Sequence, residues 1–335
     1  MFEVPLLLIF IVFLALVFDF TNGAHDCANA VASVISTKVL TPKFAVIMAA
    51  LLNLAGAMMG TAVAKTLGSG IVLPHVVEGS HILVLAALVG AIVWNVITWY
   101  YAIPSSSSHA LIGGLIGAAL ANQGFDALNL SGICQKVLLP LVGAPLAGYA
   151  VGFCIMWGMI WAFSRCKRKT VVKTFHHLQI CSAAFMATSH GLNDAQKTMG
   201  IVTLALVIFG YLDVVEVPFW VKLSCAGAMS LGTAIGGWRI IKTMGRGIFK
   251  LEPMYGFVAE SSATLVISGA SLLGAPVSTT HTISACIFGV GSTKRLSAVR
   301  WNLAGNLVTA WVLTLPMAAA VGYASYKLLH LIWPN

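Results

Sequence analysis

The chain has 335 residues, 59% of them hydrophobic and 9% charged, with a mean hydropathy of +0.93. A soluble fold of this length cannot hide that much apolar surface, so a soluble enzyme or binding domain is excluded and an integral membrane protein is expected. The formal net charge of +9 does not imply nucleic acid, because Lys and Arg gather in short segments between apolar runs, as in the cytoplasmic loops of membrane proteins.

The apolar runs are about 20 residues long rather than about 10 with alternation, which selects an all-α class over a β-barrel. In chain order they fall at 4–21, 28–40, 44–64, 81–102, 109–121, 137–163, 174–190, 198–212, 219–241, 254–274, 281–291 and 301–332. Several are shorter than the roughly 20 residues a crossing needs and are candidates for broken or re-entrant helices, giving about 10 to 12 transmembrane segments. The first run is read as a retained helix rather than a signal peptide. It opens with Glu3 instead of a basic residue, and no small-residue cleavage site follows Phe18. No polar stretch exceeds about 15 residues, so no soluble domain is expected. The seven cysteines show no paired or metal-type spacing and read as small hydrophobes.

Two polar strings inside these runs occur twice. Gly23-Ala24-His25-Asp26-Cys27-Ala28-Asn29 recurs loosely as Gly191-Leu192-Asn193-Asp194-Ala195-Gln196-Lys197, offset by 194 − 26 = 168 positions. Pro104-Ser105-Ser106-Ser107-Ser108-His109 recurs as Pro276-Val277-Ser278-Thr279-Thr280-His281, offset by 281 − 109 = 172. The charges between runs reverse from one half to the other. Lys38 and Lys43 follow the Asp26 string, whereas Asp213 and Glu216 follow the Asp194 string. Segment 65–81 balances Lys65 against Glu78, whereas 242–250 carries Lys242, Arg246 and Lys250. Segment 122–136 holds Asp126 and only Lys136, whereas 292–300 holds Lys294, Arg295 and Arg300. If Lys and Arg mark the cytoplasm, the halves are inserted upside down relative to each other. The expected organisation is a first membrane repeat at 1–163, a short cytoplasmic linker at 164–173 and a second, inverted repeat at 174–335, with both termini outside. Inverted-topology repeats are typical of secondary transporters and place the site near the bilayer midplane.

Each hydroxyl string sets proline, small hydroxyl residues and then histidine at the start of a glycine-containing apolar run. Proline suits the first turn of a helix, and serine or threonine suits its cap. A helix start offers free N–H groups and a partial positive charge, which binds oxyanions. Ser105, Ser106, Ser107, Ser108 and His109 in one half, with Ser278, Thr279, Thr280 and His281 in the other, are therefore candidate anion ligands. Ordinary Ser/Thr helix packing is the competing reading for either string alone, and the matched pair favours binding. The histidines either donate to an anion or pack as satisfied hydrogen-bonding residues.

Asp26 and Asp194 lie inside membrane runs, as do Asp19 and Glu260. An ionised carboxylate there must be paired, protonated or cation-bound. Asn22 and Asn29 flank Asp26 at i−4 and i+3, sharing a helix face or lining a broken turn. Carboxylate and amide oxygens with freed backbone carbonyls suit Na⁺ at Asp26, Asn29 and Asp194, and the same carboxylates can instead take up a proton. For Asp194 a structural pair with Lys197 competes with that role.

At these strings the sequence resembles the inorganic phosphate transporter (PiT) family, in its bacterial low-affinity branch. Gly23 to Ala30 is similar to the family signature Gly-Ala-Asn-Asp-x-Ala-Asn-Ala, with His25 in the third place. Ser189 to Lys197 looks like its second-half counterpart. Val93-Trp94-Asn95 through Trp99-Tyr100, running into Pro104 to His109, is similar to the bacterial branch, and Pro276 to His281 matches the family's Pro-Val-Ser-Thr-Thr-His string. The resemblance spans essentially the whole chain and implies phosphate symport with a cation through two inverted repeats. A glutamate usual in eukaryotic members of the family corresponds here to Asn53, while the second-repeat glutamate is retained as Glu260. Bacterial members are associated with proton coupling and with uptake of a neutral metal-phosphate complex.

The resulting expectation is a secondary active symporter of the inner (plasma) membrane that imports inorganic phosphate with H⁺ or Na⁺. Ser105 to Ser108, His109, Ser278 to Thr280 and His281 would hold the anion, assisted by Asn193. Asn22, Asp26, Asn29, Asp194 and Glu260 would carry the coupling cation. No cofactor is expected beyond that ion, and no Walker-type nucleotide motif occurs. The implied partners are phosphate and the lipid bilayer, with no nucleic acid, and a homo-oligomer is compatible with the sequence. A sulfate permease of the same fold is the nearest alternative, since the two anions are similar in size; acceptor carboxylates favour phosphate, which can donate a hydrogen bond. A passive channel and an intramembrane hydrolase built on Ser189, His190 and Asp194 are weaker alternatives. Adjacent Ser and His on one helix point about 100° apart, which is poor geometry for a nucleophile and its base.

Overall fold

The computed structural model describes residues 5–70 and 80–333, and within them every side chain except those of residues 67–70, 81 and 246. His75 and Glu78 lie outside the described residues, so the balance expected of segment 65–81 falls partly outside them too. Among the described residues the chain is helical, with no β-strand. The helices are α1 (Leu6–Ser36), α2 (Pro42–Met58), α3 (Ala62–Gly70), α4 (His81–Tyr100), α5 (Ser107–Gln123) and α6 (Leu130–Ala162). They continue as α7 (Arg168–Ile208), α8 (Phe219–Ile235), α9 (Trp238–Gly247), α10 (Pro253–Leu272), α11 (Thr279–Ser292) and α12 (Trp301–Ile332).

The runs 4–21 and 28–40 are not separate segments. They form one helix of 31 residues, and 174–190 and 198–212 likewise form one helix of 41 residues. The Asp strings therefore do not break their helices, and α1 and α7 release no backbone carbonyls beside Asp26 or Asp194. The reason lies in the glycines. A Cβ at Gly23 would stand 2.1 Å from Met229 O, and one at Gly191 would stand 2.2 Å from Asn53 O. Each glycine admits the backbone of a neighbouring helix and bends nothing. The polar side chains around it turn inward onto α11 and its preceding string.

The hydroxyl strings do interrupt the helices. Pro104 and Pro276 precede α5 and α11, which are only 17 and 14 residues long. At about 1.5 Å per residue, α11 extends roughly 21 Å, too short for a complete crossing.

Packing partners exchange between the two parts of the chain. α1 packs on α8 and α7 on α2; α5 packs on α12 and α11 on α6; α3 lies on α7 and α9 on α1. α6 and α12 each carry an internal proline, Pro145 and Pro316. Among the described residues four helices, α1, α4 (over Ile82–Tyr100), α6 and α12, are long and apolar enough to cross a membrane, and α2 and α8 are shorter apolar helices. Their outer faces expose large hydrophobic residues such as Phe44, Leu51, Leu146, Trp157, Leu231 and Leu328. This is an integral membrane protein with an inverted distribution of polarity: its hydrocarbon faces outward, and Asp19, Asp26, Asp194, Lys197 and Glu260 are buried inside it.

Candidate functional site

The two hydroxyl strings meet. The rings of His109 and His281 have centroids 4.8 Å apart, and His281 stacks on Trp311 at 4.3 Å. The strings are capped identically. Ser106 Oγ accepts from the His109 N–H at 3.2 Å, and Ser278 Oγ accepts from the His281 N–H at 3.2 Å. The helical ladders begin with Ala110 N–H donating to Ser106 O at 2.9 Å and Thr282 N–H donating to Ser278 O at 3.1 Å. The N–H groups of Ser107, Ser108, Thr279 and Thr280 precede those ladders and have no acceptor within their own helices. Four donors at two helix starts are thus grouped in the buried interior.

The Asp strings reach the same place. Asn29 Nδ2 donates to Thr279 Oγ1 at 3.1 Å and to Thr280 Oγ1 at 2.9 Å. Thr280 Oγ1 donates to Asp26 Oδ1 at 3.4 Å, and Thr279 Oγ1 donates to Asp194 Oδ2 at 2.9 Å. The first Asp string is therefore wired to the second hydroxyl string. His25 extends the wiring to the first: its Nδ1 lies 2.7 Å from Asp26 Oδ1, and its Nε2 lies 3.2 Å from Thr98 Oγ1 and 3.4 Å from Ser105 Oγ. Single ligand atoms of Asp26, His190 and Asp194 all fall within 4.8 Å of one another.

Asp194 differs from Asp26 in its company. Lys197 Nζ donates to Asp194 Oδ1, to Ser108 Oγ and, at 3.0 Å, to Val277 O. His190 Nε2 sits 3.2 Å from Asp194 Oδ2, and its Nδ1 is 3.0 Å from Asn53 Oδ1. Asn193 is fully engaged: its Nδ2 donates to Asp194 Oδ1 at 2.8 Å and Val277 O at 2.9 Å, and its Oδ1 accepts from Ser271 at 3.2 Å. It braces the second hydroxyl string from behind.

Glu260, on α10, sits apart, against Ser33 one helical turn beyond Asn29 on α1. Both of its carboxylate oxygens are held, Oε1 by Ser33 and Oε2 by Ser182, and Gln179 Nε2 donates to Oε1 at 3.2 Å. Asn53 lies on α2, where it joins His190 to Thr233 Oγ1 at 2.9 Å. Leu88, at the 172 offset from Glu260 (260 − 172), packs in one apolar cluster with Ile11 and Ile201. Asn22 also stands outside the network around Asp26 and lies, with Thr198, beside the buried carboxylate of Asp19.

Several working residues carried little or no signal in the sequence. Thr98 is one hydroxyl in an apolar helix. Ser33, Gln179 and Ser182 are single polar residues whose convergence on Glu260 only the packing of α1, α7 and α10 creates. Lys197 did carry a signal, a lone cation three residues after Asp194 inside an apolar run. The hydrolase reading of Ser189, His190 and Asp194 fails on geometry too, since Ser189 Oγ pairs with Ser268 Oγ at 2.7 Å rather than with His190.

The chain is similar to known transport proteins along nearly its whole length. Residues 22–322 match the model of the phosphate transporter family. A probable low-affinity inorganic phosphate transporter of Bacillus subtilis (strain 168) is 46% identical over 329 residues, covering 98% of both chains. One of Rhizobium meliloti (strain 1021) is 48% identical over 322 residues, covering 96% of both. A solved structure titled the sodium-dependent phosphate transporter superposes with a TM-score of 0.88 at 26% identity, over 97% of this chain and 99% of that one. The relatives are transporters and not enzymes, and the chain belongs to the phosphate transporter family.

Proposed function

We propose that this protein imports inorganic phosphate through the inner membrane by symport with a small cation, H⁺ or Na⁺, with the anion entering free or as a neutral metal-phosphate complex. One observation carries the reading: at the start of α11 the hydroxyls of Thr279 and Thr280 donate to the carboxylates of Asp194 and Asp26, and Lys197 joins Asp194 to Ser108 at the start of α5. Asp26 and Asp194 set two carboxylates against the one ammonium of Lys197 in a buried site. A phosphate anion entering it would meet repulsion unless a cation came too, because like charges in a medium of low dielectric repel strongly. That requirement is the coupling.

In this reading Ser105 to Ser108 and Ser278 to Thr280 donate to the phosphate oxygens, with Asn193 fixing the second string. His109 and His281 form the joint between the strings, and Asp26, Asn29 and Asp194 hold the cation. Asn22 and Glu260 act on the cation's path rather than at the anion. The two parts of the chain, 1–163 and 174–335 joined by 164–173, are two inverted repeats that rock about the shared site; the exchange of packing partners between them supports this.

Labelled phosphate uptake into proteoliposomes tests the proposal, with Na⁺ and H⁺ gradients imposed separately and sulfate and arsenate as competitors. Accumulation should follow one of the gradients and be reduced by arsenate more than by sulfate. Uptake that ignores both gradients would mean a channel, and stronger competition by sulfate would mean a sulfate permease. Glu260→Gln is expected to keep the fold, since hydroxyl groups can turn to accept from the new amide. Glu260→Leu is expected to cost on the order of 1–3 kcal/mol for each donor left unpaired among Ser33, Ser182 and Gln179. Denaturation midpoints of the two purified variants check the difference.

A further inference from the structure

Lys197 is 2% exposed in a membrane-embedded helix, and all the bonds of its ammonium go to oxygen. The ligands are a carboxylate oxygen of Asp194, the hydroxyl of Ser108 and the main-chain carbonyl of Val277, the last freed by the interruption before α11. A carboxylate, a hydroxyl and a free carbonyl make up the kind of hard-oxygen set that a transporter offers to Na⁺. Here a tethered ammonium occupies it. An ammonium group is a compact point charge with three donors, and each donor has its acceptor. The ligands also come from three different elements: α5, α7 and the string before α11. The cage thus ties the first hydroxyl string to the second.

We infer that Lys197 is a built-in cation, fixed where a second co-transported cation would otherwise bind. The inference rests on the symport reading and refines it. The Asp194 side of the site is permanently neutralised by the chain itself, and only the Asp26 side exchanges its cation with solution. The protein then moves one cation fewer per phosphate than it would with the Asp194 cage open. Asp26 has no such resident: among the described residues its partners are His25, at 2.7 Å, and Thr280, at 3.4 Å.

The test is to remove the ammonium and offer a free ion. Lys197→Ala is prepared in proteoliposomes, and phosphate uptake is measured with Na⁺, K⁺ or choline inside and out at a fixed proton gradient. The ratio of uptake in Na⁺ to uptake in choline should rise on the order of tenfold above the wild-type ratio, because Na⁺ refills a cage whose carboxylate is otherwise unpaired. A ratio unchanged from wild type would overturn the inference. A second measurement needs no transport and covers the case of an inactive variant. In detergent, and in an Asp26→Asn background that silences the other side, Na⁺ should raise the melting temperature of Lys197→Ala but not of the protein that keeps Lys197. Adding Asp194→Asn should remove that shift. No Na⁺ shift in Lys197→Ala overturns the tethered-cation assignment. Failure of wild-type gradient-driven uptake would instead overturn the symport reading and leave the shift experiment standing.

Discussion

Gly191→Val and Gly23→Val are each expected to abolish recovery of folded protein, whereas Gly143→Val and Gly158→Val should leave it unchanged. At Gly191 even the first side-chain carbon would stand 2.2 Å from Asn53 O and 2.7 Å from Asn53 Cα. The contact is mutual, because across the same interface a Cβ at Gly56 would stand 2.0 Å from Thr188 O. At Gly23 the clash is with Met229 O at 2.1 Å, and Gly232 on that neighbour would meet Phe20 O at 2.0 Å. These neighbours are backbone atoms of helices, so relief requires sliding whole helices of 31 and 41 residues. Overpacking a core costs about 1–3 kcal/mol when side chains can yield. Here backbone must yield, and parting α2 from α7 also breaks the Asn53–His190 contact that orients the site. Gly143 and Gly158 have no atom within 4 Å of the position a Cβ would take and serve as controls on one helix, α6. Size-exclusion profiles of detergent-solubilised variants read the result. A monodisperse wild-type peak for Gly191→Val would show that the helix contact is looser than drawn.

Much of the site was legible because a membrane makes polar residues conspicuous. In apolar runs, Asp26, Asp194, Glu260 and the two hydroxyl strings stand out one by one, and the matched spacing of Pro104–His109 and Pro276–His281 points to the helix starts that are observed. At the Asp strings the polar residues interrupt the apolar runs and leave a shared helix face and a broken turn equally open; the backbone contact 2.1 Å from a Cβ at Gly23 goes with an unbroken helix. What sequence could not supply at all is convergence from distant segments. Thr98 beside His25, and Ser33 with Ser182 on Glu260, are joined across 73 and up to 227 positions of chain. No local pattern encodes such pairs.

The two aspartates match in sequence, yet they are expected to fail in different ways. Asp26→Asn should leave stability within about 1 kcal/mol of wild type, because an amide oxygen can still accept from His25 and Thr280. Its effect should fall on transport: with the exchangeable cation's charge partner gone, gradient-driven uptake should drop on the order of a hundredfold, taking roughly 2.7 kcal/mol of lost cation binding at 1.4 kcal/mol per tenfold. Asp194→Asn should lose stability as well. It leaves the ammonium of Lys197, 2% exposed, with neutral acceptors only and no opposing charge. Breaking one side of a buried ion pair costs about 3–5 kcal/mol, since the remaining charge stays desolvated and unmatched. The double variant Asp194→Asn with Lys197→Met removes both charges and should regain most of that stability while remaining inactive in uptake. Thermal melting of the three purified proteins, set beside uptake in proteoliposomes, separates the two roles. Equal melting temperatures for Asp26→Asn and Asp194→Asn would mean that the Lys197 pair is solvated in the membrane-embedded protein. No recovery in the double variant would mean that Asp194 is held chiefly by Thr279 and His190, and that its charge on the Lys197 side contributes little to the fold.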